Sequence, residues 1–159
     1  MNLQILLVSP DPAEYEHLRE SLIQLGNRCE SAVGYEDAVP AWQQHRHDIV
    51  IAECPVAGTA DGWEQLLALP QAQPGMRLFI FVAKPKVAQL CNFANLGVGG
   101  LFLKPVDFRS LVVRLEQVRE QLINAREAEA QHARLAMGYA KLKQAYDDLA
   151  ARQQRAASV

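Results

Sequence analysis

Short apolar runs alternate with helix-period segments over the first two thirds of this chain, and that alternation restricts the fold more than any other feature. The runs are 3–8, 28–33, 49–52, 78–83 and 100–103. All but the second are almost continuously apolar, as strands must be when both sheet faces are covered. The second is half polar and suits a sheet edge. Helix-period segments fall at 13–25, 36–45, 62–69 and 86–96, with Pro40 read as an early and therefore cheap helix position. Pro70 to Gly75 reads as a loop, and Asp61 as the N-cap of the third helix. Strand–helix alternation of this kind gives an α/β fold, a flavodoxin-like doubly wound five-stranded parallel sheet, whose functional edge lies beyond the carboxyl ends of its strands. Ser9, Glu53, Val82 and Lys104 all fall at such ends.

From Asp107 the texture changes. Asp107 is a good N-cap, no proline follows it, and Ala, Leu, Glu, Gln, Lys and Arg dominate. A helix to about residue 156 would far exceed what one sheet can cover, so we divide the chain into a domain at 1–121 and a helix at 122–159. Leu111, Leu115 and Val118 read as ordinary core. Beyond them, Leu122 is followed by a heptad series with Leu135, Leu142 and Leu149 at d and His132, Tyr139 and Tyr146 at a. The step from Ala125 to Ala128 shortens the repeat by one residue, a stammer in the seam. An apolar stripe of about four heptads needs a partner helix, and leucine at d favours a parallel homodimer. An intramolecular hairpin and a coiled coil with another protein are the alternatives. Gly138 offers a bend at a cost of roughly 1 kcal/mol.

Composition narrows the function classes. Net charge is -2, and residues 107–159 carry 9 of the 16 Lys/Arg and 7 of the 18 Asp/Glu, leaving 7 and 11 for the rest. Neither part has a dense basic cluster, so nucleic acid is not expected as a partner. The three cysteines are odd in number and far apart, which reads as reduced thiols in a cytoplasmic protein. No apolar stretch is long enough to cross a membrane. His17, His45, His47 and His132 read as scattered, solvated side chains, none at metal-ligand spacing. The glycines at 97, 99 and 100 precede a strand and open no helix, so they are no phosphate loop.

The motifs at the strand ends resemble the response-regulator receiver family. Ile5-Leu6-Leu7-Val8 leads into Ser9-Pro10-Asp11-Pro12. Asp48-Ile49-Val50-Ile51-Ala52-Glu53 precedes Asp61-Gly62-Trp63-Glu64. Leu101-Phe102-Leu103-Lys104-Pro105 matches the final strand with its Lys-Pro pair, whose peptide bond is expected to be cis as the family's often is. The resemblance runs from Asn2 to about Val118. It makes Glu53 the phosphoacceptor-equivalent and Lys104 the equivalent of the family's lysine. Ser9 and Pro10 occupy the acidic-pair positions, with Asp11 as a residual acid, and Val82 and Leu101 stand at the switch positions.

A receiver needs carboxylates for Mg²⁺, a lysine for the phosphoryl oxygens and a hydroxyl to read them. Ser9 and Pro10 supply no carboxylate, valine supplies no hydroxyl, and Phe102 points to the face opposite Leu101. The resemblance therefore implies a pseudo-receiver, with no cofactor, no metal and no enzymatic activity. Glu53 and Lys104 are expected to pair, either filling the old site or imitating the phosphorylated state. The expected role is phosphorylation-independent signalling of two-component type, taking a cue from a partner protein on the receiver surface and relaying it through the coiled coil. An output domain after Val159 is expected. The alternatives are the pseudo-receiver part of an RNA-binding antitermination regulator, and a receiver still phosphorylated at an atypical residue.

Overall fold

The computed structural model describes residues 2–73 and 75–158. Five strands form one parallel sheet: β1 (Gln4–Ser9), β2 (Arg28–Val33), β3 (Ile49–Glu53), β4 (Arg77–Val82) and β5 (Gly100–Leu103), in the order β2-β1-β3-β4-β5. This is the doubly wound arrangement expected from the alternation. Its register sets Leu6 beside Val50, Val50 beside Leu78 and Ile80 beside Leu101. The half-polar β2 is indeed an edge.

Side-chain alternation splits the sheet into two packed faces. Leu6, Val8, Val50, Ala52, Leu78, Ile80 and Val82 lie in one core cluster with Trp42, Trp63, Leu66 and Phe93. These come from α2 (Tyr35–His45), α3 (Trp63–Leu67) and α5 (Val87–Asn95). The complementary set, Ile5, Leu7, Ile49, Ile51, Phe79 and Phe81, is buried with Leu22 of α1 (Glu16–Gln24) and with Leu111, Leu115 and Val118 at the start of α6 (Phe108–Ala157). Phe102 of β5 packs on Phe79 and Phe81, whereas Leu101 is 41% exposed, so neighbouring residues of β5 do face opposite ways.

Four local expectations need correction. The first helix is split: a 3-10 turn, Pro12–Tyr15, precedes α1, because Asp11 caps it and Pro12 stands at its start. Pro40 is the sixth residue of α2, beyond the first turn, so it costs the helix a donor to the carbonyl four residues back. Pro70 does not end the third helical segment but begins a new one, α4 (Leu69–Ala72), where its missing N–H is not needed. Asp61 is also not the cap of α3. Gly62 holds that position in the left-handed region, with no side-chain capping bond.

Contacts divide the chain into two units, one ending at Arg119 and one beginning at Glu120. Within the first, the Arg114 guanidinium donates to the Gly99 carbonyl and Arg119 donates to Asn27 Oδ1 at 2.8 Å. Asp107 precedes α6, its carbonyl taking the Leu111 N–H and its carboxylate the Ser110 hydroxyl. Within the second unit, α6 continues as uninterrupted helix to Ala157. Leu135, Tyr139, Leu142, Tyr146 and Leu149 are 56–73% exposed along it. No helix among the described residues is long and apolar enough to cross a membrane.

Candidate functional site

The carboxyl edge of the sheet gathers four of the residues singled out in the sequence. Glu53 closes β3, and its backbone is held by a hydrogen bond from the Tyr35 hydroxyl to its carbonyl. Tyr35 is fixed in turn by edge contact with the Trp63 ring, 5.1 Å between centroids. Lys104 follows β5, its N–H donating to the Val82 carbonyl and its peptide bond to Pro105 being cis. These anchors bring the Lys104 ammonium into direct contact with the Glu53 carboxylate.

A second carboxylate completes the arrangement. Glu14, in the 3-10 turn after β1, accepts from Lys104 Nζ at 2.9 Å. The Tyr15 ring lies beside them, its centroid 5.7 Å from Nζ, and packs on Phe81 below. Glu14 and Tyr15 were not identified from the sequence. The available signal was the Asp11-Pro12 turn start, which fixes where the next two side chains project. Burial of the Lys104 ammonium would lower its pKa, but hydrogen bonds to Glu53 and Glu14 outweigh this and raise it above the ordinary lysine range. Burial pushes the Tyr15 phenol up to about 12, with Lys104 pulling the other way. The site therefore holds a charged lysine between two carboxylates.

The remaining predicted positions do other work. Ser9 is buried, and its hydroxyl is bonded to the backbone N–H and carbonyl of Asp11, both at 3.1 Å. Pro10 is exposed. Asp11 directs its carboxylate to the Ala13 N–H at 3.2 Å, capping the turn. Val82 is buried in the core cluster, and Leu101 lies half-exposed on β5. The metal implied by the fold would need at least two carboxylates free of a competing cation. Here the serine hydroxyl is committed to backbone, the proline offers no donor, the Asp11 carboxylate caps the turn, and the Glu14 and Glu53 carboxylates are bonded to an ammonium. These residues do not fit Mg²⁺.

Beside Glu53, on the β4 side, opens a groove of about 600 Å³ lined in part by Cys54, Val56, Lys84, Lys86 and Gln89. Gln89 donates to Cys54 Sγ at 3.1 Å, and burial raises the Cys54 thiol pKa. All three cysteines are free thiols.

The histidine expectation fails in one respect. His47 is only 4% exposed, and its Nε2 lies 3.0 Å from a Glu30 oxygen that His45 Nδ1 also approaches at 3.0 Å.

No family model matches the chain. It is 30% identical over 126 positions to the virulence sensor protein BvgS of Bordetella pertussis, a match covering 74% of this chain and 10% of that protein. It is 26% identical over 112 positions to the transcriptional regulatory protein PcoR of Escherichia coli, covering 70% of this chain and 49% of PcoR. The chain thus spans about a tenth and about half of these two relatives. Among solved structures it is similar to a CheY-like response-regulator receiver domain from Methanospirillum hungatei, with TM-score 0.68 and 20% identity over 78% of this chain and 99% of that one. The signal receiver domain of an HD-domain protein from Pseudomonas fluorescens gives TM-score 0.67 at 22% identity, over 76% and 97%. Chemotaxis protein CheY4 of Vibrio cholerae gives 0.63 at 19%, over 74% and 99%. In fold, the chain is a response-regulator receiver (CheY-like) domain.

Proposed function

We propose that the chain is a pseudo-receiver of two-component type: a phosphorylation-independent, non-enzymatic signalling and dimerisation module. The observation that carries this reading is the Lys104 ammonium bonded by both Glu53 and Glu14. In an acyl-phosphate site the lysine must be free to pair with the arriving phosphoryl oxygens, and a metal must neutralise their charge. Here the chain supplies its own anions to the lysine. Glu53, one methylene longer than aspartate, carries negative charge toward the space a phosphoryl group would fill, and so stands in for the modified state.

Information then has to enter by contact. The groove beside Glu53, with Lys84 and Lys86 at its rim, offers a surface to a partner protein. It leaves through α6, whose exposed leucines and tyrosines at heptad spacing suit a parallel pairing of two copies. BvgS and PcoR are named as a sensor and a transcriptional regulator, which supports a place in signal transduction and an attachment to further domains. The direct test is intact-mass spectrometry after incubation with acetyl phosphate and Mg²⁺. Unchanged mass is expected, and a phosphate adduct removed by Glu53→Gln would refute the reading.

A further inference from the structure

We propose that Glu30, His45 and His47 form a binding site for a borderline transition-metal dication of the Zn²⁺ type, on the β2 edge and away from the Lys104 site. The three donor atoms, Glu30 Oε2, His45 Nδ1 and His47 Nε2, all lie within 4.8 Å of one another, and the oxygen is 3.0 Å from each nitrogen. Tetrahedral bonds of about 2.0–2.2 Å put neighbouring ligands roughly 3.3–3.5 Å apart. The donors therefore need shifts of only a few tenths of an ångström on the two oxygen–nitrogen edges. Two imidazoles and one carboxylate is also a donor set that zinc favours.

The chain holds this triad in place from several directions. His45 is the last residue of α2 and Glu30 is the third residue of β2. Between the histidines, Arg46 takes the left-handed conformation at φ 50, the one described non-glycine residue with positive φ. That turn lets two side chains two residues apart converge on one carboxylate. The Trp42 indole donates to the His47 carbonyl at 3.1 Å, and the Arg46 N–H donates to the Trp42 carbonyl at 2.7 Å. The Gln4 N–H donates to the carboxylate of Asp48, the residue after His47, at 2.9 Å. The Arg46 guanidinium stacks on Trp42 and reaches Gln73.

The site is built around a buried anchor, the His47 side chain at 2% exposure, with His45 and Glu30 half-exposed beside it. A fourth coordination position faces water through the exposed ligands. When Nε2 of His47 binds the ion, the ring proton moves to Nδ1, which is buried without a partner. Histidine ligands usually have an acceptor there, and its lack weakens binding by about 10- to 100-fold. The expected affinity is therefore micromolar, below that of a permanent structural zinc site.

The test is calorimetric titration of the full chain with ZnCl₂, with the visible absorption of Co²⁺ as a second readout. One ion per chain is expected, with a tetrahedral Co²⁺ spectrum. Glu30→Gln and His45→Gln, both at exposed side chains, should each weaken binding at least about tenfold while leaving the far-ultraviolet circular dichroism unchanged. The proposal is overturned if the wild-type chain takes up no ion, or if both variants bind as it does, which would place the ion on the cysteines or on the other histidines.

Discussion

Glu14 and Lys104, ninety positions apart in sequence, are joined by a 2.9 Å ion pair that adds a second carboxylate to the Glu53–Lys104 contact. The lysine is the hub, so its loss matters more than that of either acid. Lys104→Met leaves Glu53, with its side chain 14% exposed, facing Glu14 with no cation between them. Leaving a mostly buried charge uncompensated is expensive. Urea denaturation should show Lys104→Met destabilised by about 2 kcal/mol, reduced from the fully buried case because Lys104 keeps some solvent access. Glu14→Gln, at a 44% exposed carboxylate, should cost under about 1 kcal/mol. Equal losses for the two variants would refute the hub arrangement.

Gly62 tests the loop that follows the site. Its φ is +86, and an added Cβ would lie 2.6 Å from the Glu36 N and 2.7 Å from the Tyr35 carbonyl carbon. Both contacts are with backbone at the start of α2, which cannot rotate aside. The left-handed conformation alone costs a non-glycine residue roughly 1–2 kcal/mol, and the overlap adds overpacking of about 1–3 kcal/mol. Gly62→Ala should therefore lower thermal stability far more than Gly58→Ala, where φ is also positive but the space is open.

The sheet was legible because β1, β3 and β4 are buried on both faces and so appear as unbroken apolar runs; β5 reads the same way although Leu101 and Leu103 are exposed at the sheet edge. Glu53 and Lys104 were legible for the same reason: each ends such a run. What escaped depends on turns. Glu14 is an ordinary polar residue until the Asp11 cap and Pro12 aim it at Lys104. His47 looked like solvated surface because its partner Glu30 is seventeen residues away, and only the left-handed Arg46 brings the two histidines onto it. Pro40 and Pro70 misled for opposite reasons. One sits deeper in its helix than assumed, and the other opens a helix instead of closing one.

Alkaline pH offers a separate check on the core. Burial raises the Cys29 thiol from 9.0 to about 12 and the Tyr15 phenol from 10.0 to about 12. A group whose folded pKa is raised keeps its full contribution below the unfolded pKa and loses it as pH rises toward the folded one. Stability should therefore be level up to about pH 9 and fall between pH 9 and 12, with Cys29 alone costing roughly 1.4 kcal/mol per pH unit above its unfolded value. Cys29→Ala should flatten the first part of this fall in melting temperature measured across pH. An unaltered profile would mean that the thiol ionises as easily folded as unfolded.

Along α6, the proposal of a paired helix makes a quantitative demand on mass. Leu135, Leu142 and Leu149 are 73, 70 and 56% exposed, and Tyr139 and Tyr146 are each 71% exposed. Leucines repeating at sevens on one helix face form the d positions of a seam, and a charge at the middle one disrupts the layers on both sides. Light scattering should give a dimer for the full chain and a monomer for a chain ending at Leu122. Leu142→Lys should weaken association by at least about tenfold, since losing one buried leucine contact in each strand removes more than the 1.4 kcal/mol that a tenfold change requires. Lys141→Ala, one residue away and off the seam, should leave the mass unchanged. A monomeric full chain would remove the pairing, and dimers persisting after truncation would move the interface onto the receiver unit.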